Sequence, residues 1–251
     1  MNRRLFRVSA PLGVSRVGRG GRVPGPIQSV SRAAAVLRLL ATGQCQFGLS
    51  DTAAALGLSK GTVHGILHTL RREGLVEQDS ASGKYRLGAE LARLGGSYLQ
   101  RHDLRARALP WADGLARTTG EEVYVGVPHG SGVLIIHHVV RPGEARQAVE
   151  TGTMVFAEGT ALGAVLAAPT TPTGLLEAAR KRGWVCAPEP ARYGAVSLAA
   201  PIRDRRNAVA AVSITGAVDH ICDGGRARDS LVSAVRNCAR AISHDLGADR
   251  P

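Results

Sequence analysis

Residues 50–74 read SDTAAALGLSKGTVHGILHTLRREG, and few folds accommodate such a stretch. Ser50 is placed to cap a helix through Leu56, Gly57 can take the left-handed conformation that ends it, and Ser59 can cap a second helix. The second helix puts Val63, Ile66, Leu67 and Leu70 at i, i+3, i+4 and i+7, which makes one buried stripe. This is the pattern of a helix-turn-helix. The opposite surface carries Gly61, His64, Gly65, His68 and Arg72, flanked by Thr62 and Thr69. Each interior glycine costs about 1 kcal/mol of helix propensity relative to alanine, so two on one exposed face imply close approach by something outside the helix. A nucleic-acid groove meets that need. The ordinary polar exterior of a helical hairpin is the competing reading, and by pattern alone the two weigh equally.

The next residues tip the balance. Leu75–Gln78 and Lys84–Leu87 are two short strands around the polar turn 79–83, DSASG. A hairpin directly after the second helix makes a wing, with Lys84 and Arg86 where a wing meets phosphate. Val30, Ala34, Leu37 and Leu40 recur at helical spacing and predict a supporting first helix over Ser29–Ala41, with Thr42–Gly48 as its loop.

Charge is distributed unevenly. Of a formal +12, residues 1–26 hold six arginines and no acids, residues 27–100 eight bases against five acids, and the remainder eighteen against fifteen. Positive excess favours polyanions through counterion release, but half of it here lies in a Pro- and Gly-rich tail that reads as disordered. No apolar run approaches the roughly 20 residues needed to cross a bilayer, so a membrane protein is not expected, and the tail lacks the apolar stretch of a secretory leader. Cys45, Cys186, Cys222 and Cys238 form no CxxC pair and no zinc spacing, and read as small buried residues in a reducing cytosol, with no metal and no disulfide.

Past the wing, Leu87, Leu91, Leu94 and Tyr98 predict an amphipathic helix over Ala89–Gln100, and Asp103 can cap another that places Leu104, Ala108, Trp111 and Leu115 on one face, kinked at Pro110 and ended by Gly120. The period then changes to two. Val123, Val125 and Val127 alternate with Glu122, Tyr124 and Gly126 as a half-buried strand, and Val133–Val140 follows, with His137 and His138 on opposite faces. A third strand is expected over Gln147–Thr151, a short helix over Gly159–Ala168, a helix capped by Thr173 and ended by Gly183, and strands Ala195–Ile202 and Val209–Thr215 joined by the turn Arg203–Asn207. A closing helix carries Leu231, Val235, Cys238 and Ile242. Strands in the middle with helices before and after give an α+β domain around a mostly antiparallel sheet. Ser213 and Thr215 share a face, and Ser197 lies in the preceding strand. If the two strands pair, small residues and hydroxyls line one side of the sheet and could hold a small polar molecule. Small strand residues under a helix are the blander account, and pattern alone favours it.

Ile27-Gln28-Ser29, Leu49-Ser50, Leu58–His64 and Gly83–Gly88 together resemble the winged helix-turn-helix of the IclR family of bacterial transcriptional regulators, and the likeness runs from Ile27 to about Gly247. Within that family it is greatest to the regulators of glycerol operons in actinomycetes, through residues 61–67 (GTVHGIL) and 102–109 (HDLRARAL). The resemblance implies a cytoplasmic, nucleoid-acting repressor of a carbon-catabolism operon, without catalytic residues, metal or cofactor. It implies a winged helix-turn-helix over 27–88, a linker helix over 89–102, and a GAF/profilin-like effector-binding and oligomerisation domain over 103–251. Its partners would be a double-stranded DNA operator, a second subunit in a homodimer or tetramer, and a small anionic metabolite such as glycerol 3-phosphate. Ser50, Lys60, Gly61, Thr62, His64, Gly65, His68, Thr69, Arg72, Lys84 and Arg86 would face DNA. Ala161, Leu162, Ser197, Ser213 and Thr215 would face the metabolite, with helix N-terminal amides suiting its charge.

The chain departs from the family in three places: Gly163-Ala164 stands where Gly-Lys is usual, a pocket acid is replaced around Ala187, and a helix and loop are missing between Ala168 and the Thr173 helix. Two alternatives stay open. The winged helix could serve subunit contacts beside a binding or catalytic domain, or the shortened sensor could have lost its ligand. The string Gly57-Leu58-Ser59-Lys60-Gly61 satisfies the nucleophile pattern G-x-S-x-G, but it follows a helix where that pattern needs a strand.

Overall fold

A computed structural model describes residues 25–42, 47–140, 151–166, 171–204 and 207–247. The chain divides into two compact units after Leu91. In the first, α1 (Gln28–Leu40), α2 (Leu49–Leu56) and α3 (Lys60–Arg72) precede the hairpin β1 (Val76–Gln78) and β2 (Tyr85–Leu87). Gly57 ends α2 at φ 61°, and Ser59 accepts from the Thr62 amide at 3.2 Å, so the expected turn forms as read. Ser50 does not cap α2. The helix starts one residue earlier, and Asp51 closes its first turn by accepting from the Gly48 amide at 3.1 Å. A carboxylate there also favours the positive end of the helix dipole, which explains why it displaces a serine from the role.

Val63, Leu67 and Leu70 are buried with Val36, Leu40, Ala53, Val76 and Tyr85, and Ile66 packs at the edge of this core. In α1 the inward stripe passes through Ala33, Val36, Leu37 and Leu40, and Val30 is 63% exposed, so the first helix is turned from the expected stripe. Tyr85 also donates its amide to the Phe47 carbonyl at 2.8 Å, adding a third short segment to the wing. The tail 1–26, apart from Gly25 and Pro26, and most of the loop 42–48, with Cys45, lie outside the described residues.

The helix α4 (Ala89–Arg101) runs across the division. In the second unit α5 (Asp103–Thr119) leads into β3 (Glu122–His129) and β4 (Gly132–Val139). Then follow β5 (Met154–Phe156), α6 (Ala161–Val165), α7 (Thr173–Arg182), β6 (Val185–Pro188), β7 (Ala195–Asp204), β8 (Asn207–Ala217), α8 (Val218–Ile221) and α9 (Asp229–Asp245). Six strands form one sheet in the order β5-β4-β3-β8-β7-β6, every neighbouring pair antiparallel.

The half-buried strand is corrected: from Glu122 to Val127 both faces of β3 are buried, because it sits in the middle of a sheet covered on both sides. Val123, Val125, Leu198, Val212 and Ile214 pack against α5 and α9, while Tyr124, Ile135, Ala199 and Ala211 pack against α6. A bulge between Val125 and Gly126 leaves Ile136 as the extra residue of β4. Arg105 of α5 donates to the Ile136 carbonyl at 2.9 Å, and His137 lies 3.4 Å from the Asp113 carboxylate on the same helix. A bulge removes ladder pairing locally, so these bonds hold the irregular strand to the helix.

Other expectations need amendment. Asp103 is the first residue of α5 and pairs with Arg107 at 2.8 Å, so it does not cap the helix. Trp111 is exposed and donates to Asp245 of α9 at 2.7 Å, while Ala112 and Ala116 take inward positions. Pro172, not Thr173, precedes α7, with no side-chain cap. Leu94 and Tyr98 of α4 are exposed. The short helix narrows to Ala161–Val165, while Ala167 and Ala168, the connection 169–170 and the turn residues 205–206 lie outside the described residues. Of the strand expected over 147–151, only Thr151 is described, in a turn, and β5 comes later.

Gly163 is fixed by packing. A Cβ there would fall onto the backbone carbonyl of Ala157, which cannot rotate aside. Gly163→Ala should destabilise the second unit by about 1–3 kcal/mol, the usual range for overpacking. A calorimetric scan should register this as a melting temperature lower by roughly 2–10 °C.

Candidate DNA-reading face and effector cavity

On α3, Lys60, Gly61, His64, Gly65, His68, Thr69 and Arg72 are exposed, and Thr62 is half-buried. The His64 and His68 rings lie 6.4 Å apart, one turn from each other. A Cβ on Gly61 or Gly65 would meet nothing within 4 Å, so no packing among the described residues demands either glycine. The threonines are partly occupied: Thr62 Oγ1 lies 2.9 Å from Ser59 Oγ, and Thr69 Oγ1 donates to the Gly65 carbonyl at 2.9 Å. On the wing Lys84 and Arg86 are exposed, but Arg86 is tied to Glu77 across the hairpin at 2.9 Å. An exposed pair of this kind contributes little to stability and can be exchanged for a phosphate contact. Ser50 is exposed on α2. The sequence reading passed over Arg71, whose guanidinium donates to Gln78 at the end of β1 at 2.8 Å.

The second unit holds a cavity of about 170 Å³ on the α6 side of the sheet. Ser197 and Thr215 are register partners, as are Ala199 and Ser213, so the strands pair as the hydroxyl pattern requires. Leu162, Ser197, Ser213 and Thr215 line the cavity; Ala161 is buried but not in its wall. The helix N-terminus is also less available than expected. Thr160 caps α6 by accepting from the Gly163 amide at 3.1 Å, so part of the anion-binding end is already satisfied from within.

Sequence reasoning missed the charged wall, Glu189 and Arg192, and the buried Glu122 that holds Arg192 from outside the lining. Glu122 is buried, its carboxylate held at 2.7 Å by Arg192 and at 2.7 Å by the Tyr124 hydroxyl. The His138 ring stacks on Tyr124, centroids 4.3 Å apart, with its Nε2 3.9 Å from Glu122. Burial pushes the Glu122 carboxyl up, but the bonds from Arg192 and Tyr124 outweigh it and hold the pKa below its ordinary value. Burial lowers His138 and His137 despite their neighbouring carboxylates, which favours neutral imidazoles at pH 7. Ser197 donates to Glu189 at 2.8 Å and lies 2.7 Å from Thr215 Oγ1, whereas Ser213 Oγ is buried without a hydrogen-bond partner among the described residues. A buried hydroxyl with no partner is costly and calls for a ligand or water. Glu122 could not be found by pattern, because alternation placed it opposite the valine face of a half-buried strand, and Arg192 sits in a loop between strands.

A larger cavity of about 540 Å³ lies along β6, but no buried orphan polar group points into it. Beside it Cys186 and Cys222 are half-buried with sulfurs 3.9 Å apart, and burial pushes the Cys186 thiol up to about 12. No cluster of three or more metal-ligating side chains occurs among the described residues, and none of their helices is long and apolar enough to cross a membrane.

Comparisons with known proteins cover both units. The IclR helix-turn-helix domain profile matches residues 29–80, and the profile of the bacterial transcriptional regulator IclR C-terminal domain matches 96–175 and 173–244. The chain is 53% identical over 249 residues to the glycerol operon regulatory protein of Streptomyces coelicolor, covering 89% of this chain and 98% of that one. It is 51% identical to the protein of the same name from Streptomyces griseus, with the same coverage. The chain belongs to the IclR family. It is therefore a DNA-binding transcriptional regulator, and the two pieces of its C-terminal match overlap at residues 173–175, just after the connection 169–172. Among solved IclR-family structures, the regulator from Alicyclobacillus acidocaldarius superposes with a TM-score of 0.74 at 26% identity, covering 88% of this chain and all of that one. As an IclR-family member the protein has curated relatives that are regulators, and G-x-S-x-G is used here by a helix cap.

Proposed function

We propose that this IclR-family regulator is a homodimer, or a pair of dimers, that represses a glycerol or related carbon-catabolism operon in the bacterial cytoplasm. A small anionic metabolite, with glycerol 3-phosphate the first candidate, releases it. The observation that carries the DNA half is the face of α3: two glycines that no packing among the described residues requires, beside two exposed histidines and an adjoining wing. That face fits a major groove, with Ser50 and the wing residues Lys84 and Arg86 toward phosphates, and twofold symmetry sets half-sites one helical turn or a multiple apart. The names of the Streptomyces relatives support the operon. Residues 1–26 serve as a basic tail, 27–88 as the reading domain, 89–102 as linker and 103–251 as the sensing and assembly domain.

The test is a mobility-shift titration on the DNA upstream of the protein's own operon. Thr62→Ala/His64→Ala should weaken binding at least about tenfold, the scale of one lost bidentate base contact, with the thermal melt unchanged. Affinity should fall steeply with salt. Saturating glycerol 3-phosphate should shift affinity by about 5- to 150-fold, the range of ordinary allosteric coupling. Unchanged binding by the double variant rejects the reading face; no shift with the metabolite rejects the effector.

A further inference from the structure

The cavity's hydrogen bonds have a direction, and the direction sorts the parts of a ligand. A serine or threonine hydroxyl carries a single proton. Ser197 gives its proton to Glu189, so the 2.7 Å contact with Thr215 requires Thr215 to donate to Ser197. The chain of hydroxyls therefore ends on the Glu189 carboxylate, and this end of the cavity presents acceptors. It repels an anion and suits the hydroxyl groups of a ligand.

Arg192, three residues from Glu189 in the chain, is the one cationic side chain in the cavity wall among the described residues. Its guanidinium commits Nη1 to Glu122 and remains 43% exposed. An arginine fork offers five N–H donors, so a second anion can be held without releasing the first. Both charged groups come from the single loop between β6 and β7, which is closed by backbone bonds from Glu189 to Ala195 at 2.9 Å and from Arg192 to Glu189 at 3.1 Å. Two residues along β8 from Thr215, Ser213 lines the same cavity and keeps a buried hydroxyl with no partner among the described residues. A cavity of about 170 Å³ is small beside the roughly 300–1,000 Å³ of drug-sized sites, which favours a compact occupant.

We propose that Arg192 and Glu189 are the specificity residues of this cavity, Arg192 taking the anionic group and Glu189 with Ser213 the hydroxyls of a small polyol that bears one phosphoryl group. The inference rests on the effector reading above and adds which residues discriminate the phosphorylated polyol from the free one.

Isothermal titration of the full chain with sn-glycerol 3-phosphate, glycerol and inorganic phosphate tests it. Arg192→Gln should weaken glycerol 3-phosphate and phosphate at least about tenfold and leave glycerol within about twofold, because only a charge-assisted bond is removed. Glu189→Gln should weaken glycerol about fivefold or more while phosphate binds equally or more tightly, since a charged acceptor is lost and a repulsion relieved. A purely structural role would move all three probes together. Arg192→Gln also takes the cationic partner from the buried Glu122 carboxylate, so the Glu122→Gln/Arg192→Gln protein, which carries neither charge, is measured alongside and should show the same selective loss. Equal losses for all probes, or wild-type phosphate affinity in the double variant, overturn the assignment while leaving the effector reading intact. Failure of the wild-type chain to bind any of the three overturns the effector reading, and this inference with it.

Discussion

Leu67→Ala abolishes operator binding by melting the N-terminal unit, without touching its reading surface. Leu67 is fully buried at the centre of α3, among Val36, Val63, Leu70 and Val76. Truncation of such a side chain costs about 2–5 kcal/mol, through lost transfer energy and the cavity left behind. A unit this small buries only a modest share of its surface and has little stability in reserve, so that loss is a large fraction of the total. The expected result is a low-temperature transition, or none, for the N-terminal unit in circular dichroism, together with lost mobility shift. His64→Ala is the contrast, because an exposed side chain should change stability by no more than about 0.5 kcal/mol while DNA binding falls. A Leu67→Ala protein that melts and binds like the wild type would mean that α3 is not anchored as described.

The second large effect concerns pH. In the wild type the Glu122 pKa lies below its unfolded value, because the bonds from Arg192 and Tyr124 overcome burial. Its contribution to stability is therefore present above the unfolded carboxylate range, near pH 4.3, and is lost as pH falls through the lower folded value. Arg192→Ala removes the largest opposing influence, so the folded pKa rises and the variant loses stability relative to the wild type above the unfolded carboxylate range. Breaking a buried pair costs about 3–5 kcal/mol, and the exposure of Arg192 calls for a discount, so about 2–3 kcal/mol is expected at pH 7. Thermal melts of both proteins from pH 4 to 8 should nearly coincide at the acid end and diverge above it. Parallel curves would show that Glu122 is not ionised against Arg192.

The helix-turn-helix was legible because its signals are local. A left-handed glycine, a serine cap and an i, i+3, i+4, i+7 stripe each act within one or two turns, and Gly57, Ser59 and Val63–Leu70 all do what their positions imply. The cap of α2 was misassigned between neighbours, Ser50 and Asp51, both of which can accept an amide. The hydroxyl face of the sheet was legible by alternation once β7 and β8 were paired. Whether a strand is covered on one side or two depends on helices far along the chain, so the double burial of β3 escaped. For the same reason the cavity's charged wall was invisible: Glu189 and Arg192 reach it through tertiary pairing, and Glu122, which holds Arg192 from outside the lining, is 70 residues away from it in the chain.

The bulge in β4 has a mechanical consequence. Ile135 faces the cavity, and the next two residues on the same strand grip α5, Ile136 through Arg105 and His137 through Asp113. Those two grips are eight residues apart on the helix, or about 12 Å along its axis. A rod clamped at two such points cannot swivel about either one. Any occupant that displaces this strand must drag α5 bodily or snap a clamp, and α5 starts just one residue after α4 ends.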